Sequence, residues 1–198
     1  MAKQPPKVVV LAGPNGAGKS TSAPRLLRGA LKVDEFVNAD LIAQGLSGFA
    51  QNRVAFQAGR IMLARLHELA AARVSFGFET TLATRSYAPW LAELRAAGYT
   101  VHIVFLWLTN ADEAIARVAE RVRAGGHDVP EPTIRRRYQA GLKNLLQLYV
   151  PLADTWQVID NSMVVLTPRR IAAGGTRGPA HIDHPLTWQA IVGTVGQS

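Results

Sequence analysis

Short and mostly apolar runs recur along this chain, each closed by glycine, proline or a polar residue. Runs of this length are typical of strands that are buried in a parallel sheet. The pattern predicts strands at residues 8–12, 74–78, 101–108 and 156–159. It also predicts a second strand between Val33 and Ala39, and residues 163–166 either pair beside the last strand or extend it.

Apolar residues at helical spacing separate these runs. The spacing predicts a helix over residues 53–72, and Asn110 with Glu113 forms a capping box that opens another helix. Gly125 and Gly126 break that helix, and Pro130 fits the first turn of the next one. The apolar face of this last helix consists of Ile134, Tyr138, Leu142, Leu145 and Tyr149.

Alternation of strands and helices predicts an α/β fold, with a parallel sheet covered by helices. At 198 residues with 48% hydrophobic composition, the chain has room for one domain, which we place at residues 1–198. Residues 169–198 are rich in glycine, and we expect little regular structure there.

Amino-acid composition limits the kinds of ligand and chemistry that this protein can have. The net charge is +8, and 17 of the 22 basic residues are arginine, which favours a phosphorylated or nucleic-acid ligand. The absence of cysteine excludes disulfides, thiol chemistry and cysteine-bound metals. The longest apolar stretch, residues 101–108, is too short to cross a bilayer. Gly13 and Pro14 end the first apolar run before a secretory h-region could form, so we expect no secretory leader. We therefore expect a cytoplasmic protein with no membrane partner.

A phosphate-binding loop (P-loop) follows the first strand. Residues 13–20 read GPNGAGKS and match G-x-x-x-x-G-K-[ST], a pattern whose backbone N–H groups surround phosphates. Lys19 is expected to reach the β- and γ-phosphates of ATP or GTP, and the Ser20 hydroxyl to bind Mg²⁺. The predicted nucleotide-binding residues are Gly13, Pro14, Asn15, Gly16, Ala17, Gly18, Lys19, Ser20 and Thr21.

A transporter-type ATPase shares this loop. Residues 45–48, GLSG, are similar to the signature sequence of that class. They follow the loop too soon, however, and no apolar strand ending in Asp-Glu comes after them. These differences argue against a transporter ATPase.

Two carboxylates follow predicted strands. Asp40 comes about 20 residues after Lys19, at the carboxyl end of the second strand, and could accept the proton of an acceptor hydroxyl. The alternative is that Asp40 caps the following helix. Glu79, followed by Thr80 and Thr81, could hold an acceptor hydroxyl or lie in the outer shell of the magnesium ion. Its alternative is also a helix cap.

An arginine-rich helical hairpin follows the fourth strand, at about residues 117–144. Arg117, Arg121 and Arg123 precede the Gly125–Gly126 break, and Arg135, Arg136, Arg137 and Lys143 follow it. A hinged basic hairpin is typical of a lid that closes on a triphosphate and neutralises the charge that moves. The alternative is a solvated basic face.

The order of these motifs resembles the zeta-toxin family of P-loop kinases. The chain reads GPNGAGKST, VNADLIA, FETTL, RVRAGGHDVPEPTIRRRYQAGLKNL and VIDNS, so the resemblance covers residues 8–162. It implies a small-molecule kinase whose better-studied relatives phosphorylate UDP-N-acetylglucosamine, and a small helical antitoxin as partner. Nucleotide-kinase relatives imply a five-stranded parallel sheet in the order 2-3-1-4-5.

The resemblance also assigns roles to individual residues. It makes Lys19 the P-loop lysine and Asp40 the catalytic base, and it places Glu79 and Thr81 at sugar-contact positions. Arg121 and either Arg136 or Arg137 correspond to two transition-state arginines. The chain is shorter than the fuller toxins and lacks the segments that build their UDP-sugar pocket, so the identity of the acceptor stays open.

The sequence therefore predicts a kinase that uses ATP or GTP with Mg²⁺ and acts on a hydroxyl of a small phosphorylated molecule. One alternative is a polynucleotide kinase, although no basic stripe interleaved with aromatic residues is present, which argues against nucleic acid. Another is a nucleotide-dependent switch, in which hydrolysis only times the binding of a partner.

Overall fold

One sheet with helices on both faces forms the molecule. The computed structural model describes residues 4–48, 50–162, 167–176 and 178–196. The strands are β1 Lys7–Ala12, β2 Glu35–Val37, β3 Phe76–Thr80, β4 Thr100–Trp107, β5 Thr155–Asp160, β6 Arg169–Gly175 and β7 Gly178–Ile182.

The helices alternate with these strands. They are α1 Lys19–Ala23, α2 Ala39–Leu46, α3 Gln51–Ala71, α4 Tyr87–Ala96, α5 Ala111–Arg123, α6 Glu131–Asn144, α7 Val150–Leu152 and α8 Pro185–Gly196. Helix α1 continues into a π-helical segment, Pro24–Leu31, and a second one, Leu145–Tyr149, joins α6 to α7. The helix predicted at residues 53–72 is confirmed as α3.

The strands lie in the order β2-β3-β1-β4-β5-β6-β7. Strands β1 to β5 are mutually parallel, so the predicted order 2-3-1-4-5 is confirmed for them. Strand β6 pairs antiparallel with β5, and β7 pairs antiparallel with β6. The prediction of a purely parallel, five-stranded sheet is therefore wrong, because two antiparallel strands extend it.

Helices cover both faces of the sheet, which explains the continuous apolar runs. Along β1, Val8 and Val10 pack with α3, α4 and the end of α6 on one face. Val9 and Leu11 pack with α1 and α5 on the other. All four side chains are fully buried, as expected of a strand with helices on both sides.

The expectation of an irregular tail over residues 169–198 is wrong. Strands β6 and β7 and helix α8 lie there. Trp188 of α8 stacks on Trp156 of β5 with ring centroids 5.5 Å apart, and Ile171 and Ile191 are buried in the core. Pairing with the edge of β5 and burial of these few side chains therefore order a segment whose local sequence shows little apolar pattern.

The predicted start of α5 is confirmed. The Asn110 side chain accepts a hydrogen bond from the Glu113 backbone N–H at 2.8 Å, and Glu113 accepts one from the Thr109 N–H at 3.0 Å. The strand proposed for residues 163–166 lies outside the described residues. Over the part of the chain that is described, no helix is long and apolar enough to cross a membrane.

Candidate active site

The P-loop connects β1 to α1 at the carboxyl edge of the sheet. Gly13, Gly16 and Gly18 all have positive φ angles, of 142°, 76° and 76°. A Cβ at Gly13 would lie 2.4 Å from the carbonyl oxygen of Leu106 in β4. The conformation and the close approach both require glycine, so few other sequences could form this loop.

Lys19 lies inside this loop and is only 6% exposed. Its ammonium group donates hydrogen bonds to the carbonyl oxygens of Gly13 at 2.9 Å and Pro14 at 2.8 Å, and lies 3.6 Å from Glu79 Oε1. Burial lowers the pKa of Lys19, while the negative charges of Glu79 and Asp40 act in the opposite direction. Lys19 thus brings a positive charge into the loop where phosphates are expected to bind.

Ser20, Glu79 and Asn38 form a hydrogen-bonded cluster beside Lys19. The Ser20 hydroxyl donates to Glu79 Oε2 at 2.7 Å. The Asn38 amide donates to the same carboxylate oxygen at 2.6 Å and to Ser20 Oγ at 3.2 Å. Glu79 lies on β3, directly opposite Leu11 of β1, so the sheet register sets its position against the P-loop.

This cluster fits a divalent cation. The hydroxyl and carboxylate oxygens of Ser20 and Glu79 are the hard ligands that Mg²⁺ prefers. A P-loop serine together with an acid from a neighbouring strand is the usual arrangement for Mg²⁺ in P-loop proteins. The alternative that Glu79 caps the next helix is wrong, because its carboxylate is bonded to Ser20 and Asn38.

Asp40 lies in the first turn of α2 and its side chain is exposed. The cap of this helix is Asn38, whose side-chain oxygen accepts hydrogen bonds from the backbone N–H groups of Asp40 and Leu41. The alternative that Asp40 is the cap is therefore wrong. Burial lowers the pKa of both Lys19 and Arg137, and the negative charge of Asp40 opposes that shift at both cations.

Thr81 follows Glu79 in the loop after β3. The hydroxyl of Thr81 accepts a weak hydrogen bond from the Ala83 N–H at 3.4 Å, and that of Thr80 accepts one from the Leu82 N–H at 3.1 Å. Leu82 is fully buried and has a φ of 55°. These bonds fix the loop, in which Thr81 is half-buried.

Two arginines of α5 are half-buried: Arg117, which pairs with Glu113 at 3.0 Å, and Arg121. The Arg121 guanidinium donates to the carbonyl oxygen of His127 at 2.7 Å, beyond the glycine break. Its Nε is buried and has no hydrogen-bond partner among the described residues. Burial is the main cause of the lowered pKa of Lys19, and the positive charge of Arg121 acts in the same direction. A buried donor without a partner suits an anionic ligand.

The three consecutive arginines of α6 have different environments. Arg135 is paired with Asp112 at 2.7 Å and Glu131 at 2.8 Å, so it links α6 to α5. Arg136 is exposed. Arg137 is half-buried, and burial lowers its pKa while the nearby charge of Asp40 raises it. Arg137 is therefore the more buried of the two candidate arginines, and the charge of Asp40 acts on it.

The predicted lid is anchored at both ends. A Cβ at Gly16 would lie 2.9 Å from the carbonyl oxygen of Ala114, so the first half of α5 packs directly on the P-loop. Val118 of α5 is buried, and so are Ile134 and Leu142 of α6. The turn between the two helices is also held, because Val129 is buried in the same core and Arg121 donates to the carbonyl oxygen of His127.

Comparison with known proteins decides the family. A family model described as an AAA domain matches residues 8–143 of this chain. The chain belongs to this AAA domain family. An uncharacterized protein of Haemophilus influenzae is 26% identical over 132 residues, which are 67% of this chain and 92% of that protein.

Solved structures similar to this AAA domain share its fold. A chain of the AvrRxo1-ORF1:-ORF2 complex with ATP has a TM-score of 0.77 and 14% identity; the match covers 95% of this chain but only 64% of that chain. A chain of the PezAT chromosomal toxin–antitoxin system of Streptococcus pneumoniae has a TM-score of 0.63 and 15% identity, over 99% of this chain and 88% of that one.

The Pnkp1/Rnl/Hen1 RNA repair complex contains a more distant match. Its TM-score is 0.54 at 19% identity, over 70% of this chain and 45% of that chain. Together with the family model, these similarities show a P-loop kinase-like α/β fold and support nucleotide binding. The AAA domain described here extends that fold into a mixed seven-stranded sheet.

Sequence reasoning missed two asparagines of this AAA domain. Asn38 bridges Ser20 and Glu79, as described above. Asn161 follows β5, and its side chain donates to the carbonyl oxygen of Ala17 at 2.7 Å while its N–H donates to Trp107. Both come directly after a strand of the parallel sheet, at the edge where the P-loop lies. That shared position is the signal that could have found them.

Proposed function

We propose that this protein is a Mg²⁺-dependent kinase that uses ATP or GTP to phosphorylate a hydroxyl group of a small phosphorylated molecule. The observation that carries the proposal is the hydrogen-bonded cluster of Ser20, Glu79 and Asn38 beside Lys19, with Asp40 held two residues further on by the bond from its N–H to the Asn38 side chain. Phosphoryl transfer needs an acceptor held in line, cations around the moving group and a base for the acceptor proton. Here a carboxylate and cations of two different elements meet at one P-loop.

Asp40 acts as the base in this reaction. It accepts the proton of the acceptor hydroxyl while the acceptor oxygen bonds to the γ-phosphorus and the bond to the β,γ-bridging oxygen breaks. The nucleoside diphosphate leaves, and the proton passes from Asp40 to solvent. Lys19, Arg121 and Arg137 neutralise the charge on the transferred group and on the leaving group.

Ser20 and Glu79 hold the magnesium ion, Ser20 as a direct ligand and Glu79 in the outer shell. Bound there, Mg²⁺ would reduce the negative charge of the nucleotide phosphates. The 2.7 Å bond between Ser20 and Glu79 favours this role for Glu79 over contact with the acceptor. Thr81 is then the residue after β3 that contacts the acceptor.

The acceptor is a nucleotide sugar such as UDP-N-acetylglucosamine, as in the zeta-toxin family. The ordered motifs of that family and the similarity to a chain of the PezAT system support this choice. The net charge of +8 suits two phosphorylated ligands that meet in one cleft. The similar AvrRxo1-ORF1:-ORF2 and PezAT structures are both assemblies, which supports a small helical antitoxin as a partner of this protein.

Transfer of label from γ-labelled ATP tests the proposal. Wild-type protein and Lys19→Met are incubated with Mg²⁺ and a panel of UDP-sugars, nucleotides and oligonucleotides. We expect label on a UDP-amino sugar with the wild type only. Label on oligonucleotide ends would instead make the protein a polynucleotide kinase. Label released only as inorganic phosphate, with no acceptor in the panel, would favour a switch and overturn the proposal.

A further inference from the structure

We propose that Asn38 is a positioning residue that couples the metal site to the catalytic base. It fixes the hydroxyl of Ser20 and the carboxylate of Glu79, and it holds the helix that carries Asp40 against them. This inference rests on the proposed function, because it concerns the Mg²⁺ and the base of that reaction. Asn38 does not belong to the P-loop motif.

Every hydrogen-bonding position of the Asn38 side chain is used. Its two amide hydrogens go to Glu79 Oε2 at 2.6 Å and Ser20 Oγ at 3.2 Å. Its carbonyl oxygen accepts from the Asp40 N–H at 2.7 Å and from the Leu41 N–H at 3.2 Å. The residue is only 4% exposed, so water cannot easily replace these partners. Rotation of the amide would lose all four bonds, which locks it in one orientation.

The contacts at Ser20 direct its oxygen towards the metal. A serine hydroxyl has one hydrogen and two lone pairs. The hydrogen is donated to Glu79 and one lone pair accepts from Asn38, which leaves a single lone pair for a cation. The direction of that lone pair is set by Asn38 and Glu79 together. Partners of this kind, which orient a metal ligand without touching the metal, commonly change metal affinity by about 10–100-fold.

The carbonyl of Asn38 connects the same cluster to the base. Asn38 has extended backbone angles, φ −139° and ψ 122°, and caps α2, and Asp40 lies in the first turn of that helix. A displacement of α2 therefore moves the amide that holds Ser20. Aspartate would cap the helix but lacks the two donors, and serine would cap it but is too short to reach Glu79. Asparagine satisfies both requirements.

Nucleotide binding at varied Mg²⁺ concentration tests the coupling without using turnover. The probe is the fluorescent analogue mant-ATP. Asn38→Ser keeps a good helix cap and removes both amide donors. Asn110→Ser is the matched control, because Asn110 caps α5 in the same way with its side-chain oxygen and is exposed. We expect Asn38→Ser to raise the Mg²⁺ concentration at half-maximal binding by about tenfold or more, and Asn110→Ser to leave it unchanged.

A second substitution shows whether the effect passes through Ser20. In a Ser20→Ala background, adding Asn38→Ser should move the Mg²⁺ midpoint less than it does in the wild-type background, because only the contact with Glu79 is then lost. An equal shift in the two backgrounds, or a wild-type midpoint in Asn38→Ser alone, would overturn the inference. If Asn38→Ser fails to fold, Asn38→Thr makes the same comparison, since threonine also caps helices and favours extended angles.

Failure of the proposed function gives a different result. If wild-type protein binds no mant-ATP at any Mg²⁺ concentration, the kinase proposal fails. If the wild type binds it with a clear Mg²⁺ dependence that Asn38→Ser does not alter, only the role of Asn38 is wrong. A purely structural role would lower the thermal midpoint of Asn38→Ser and leave its Mg²⁺ dependence unchanged, which also overturns the inference.

Discussion

The side-chain amide of Asn144 on α6 donates a hydrogen bond to the carbonyl oxygen of Leu82, in the loop after β3, at 2.7 Å. One turn earlier, a Cβ at Gly141 would lie 2.3 Å from the carbonyl oxygen of Thr81. Helix α6 and this loop are therefore in fixed contact. The contact sets the position of Arg137 relative to Thr81. In the proposed function, Arg137 neutralises the transferred phosphate and Thr81 contacts the acceptor.

Gly141→Ala should disturb this contact. The new methyl group meets backbone and not a flexible side chain, so α6 or the loop must move. Although alanine favours helix, overpacking of this kind outweighs that gain, and we expect the free energy of unfolding to fall by about 1–3 kcal/mol. Transfer activity should fall as well. Chemical denaturation and steady-state kinetics measure the two effects.

Gly59→Ala is the control for this substitution. Gly59 lies inside α3, and a Cβ there meets no other described atom within 4 Å. Helix propensity alone then acts, so the protein should keep its stability or gain up to about 1 kcal/mol. Equal loss of stability in both variants would show that α6 and the loop are not in the close contact described.

The arginines of α6 give a matched pair of variants. Arg137→Gln removes the half-buried cation near Asp40, and we expect kcat to fall by about 100-fold or more. Arg136→Gln removes an exposed neighbour on the same helix and should change kcat only a few-fold. Steady-state kinetics with saturating nucleotide provides the measurement. The opposite order of effects would contradict the assignment of Arg137.

His102 should make stability depend on pH. Burial lowers the pKa of His102, the charge of Lys7 lowers it further, and Asp154 opposes both. As pH falls, His102 therefore becomes protonated in the unfolded chain before it does in the folded protein. The stability linked to His102 is complete above the unfolded pKa of 6.5 and is lost as pH falls through the lower folded value.

Comparison with His102→Gln isolates this effect, because the carboxylates titrate in both proteins. Between about pH 7.5 and pH 5, the wild type should lose more free energy of unfolding than the variant does. Denaturation curves at several pH values measure the difference. Parallel pH dependence in the two proteins would mean that His102 has the same pKa folded and unfolded.

The parallel part of the fold was predictable because each of its central strands is apolar by itself. Val8 to Ala12 are buried on both faces of the sheet, so every one of these consecutive residues must be apolar. Strand β6 differs, since its sequence RRIAAGG contains few large apolar side chains. The partner strand β5 determines its structure, through pairing between residues that are not adjacent in the chain.

The site was predictable where chemistry depends on a local motif. The P-loop from Gly13 to Thr21 is an example. Asn38 was missed because a helix cap and a bridge to Ser20 and Glu79 depend on three separate segments. The choice between Arg136 and Arg137 also needed the structure, because only the packing of α6 decides which of the two side chains is half-buried.

The most direct test of the central claim is the transfer rate of Asp40→Asn. The substitution removes the negative charge and keeps the hydrogen bond that the backbone N–H of residue 40 donates to the Asn38 side chain. With γ-labelled ATP, Mg²⁺ and UDP-N-acetylglucosamine, we expect the rate to fall by about 10²–10⁴-fold, while mant-ATP binding stays within a few-fold of the wild type. A transfer rate equal to that of the wild type would contradict the role of Asp40 as the base.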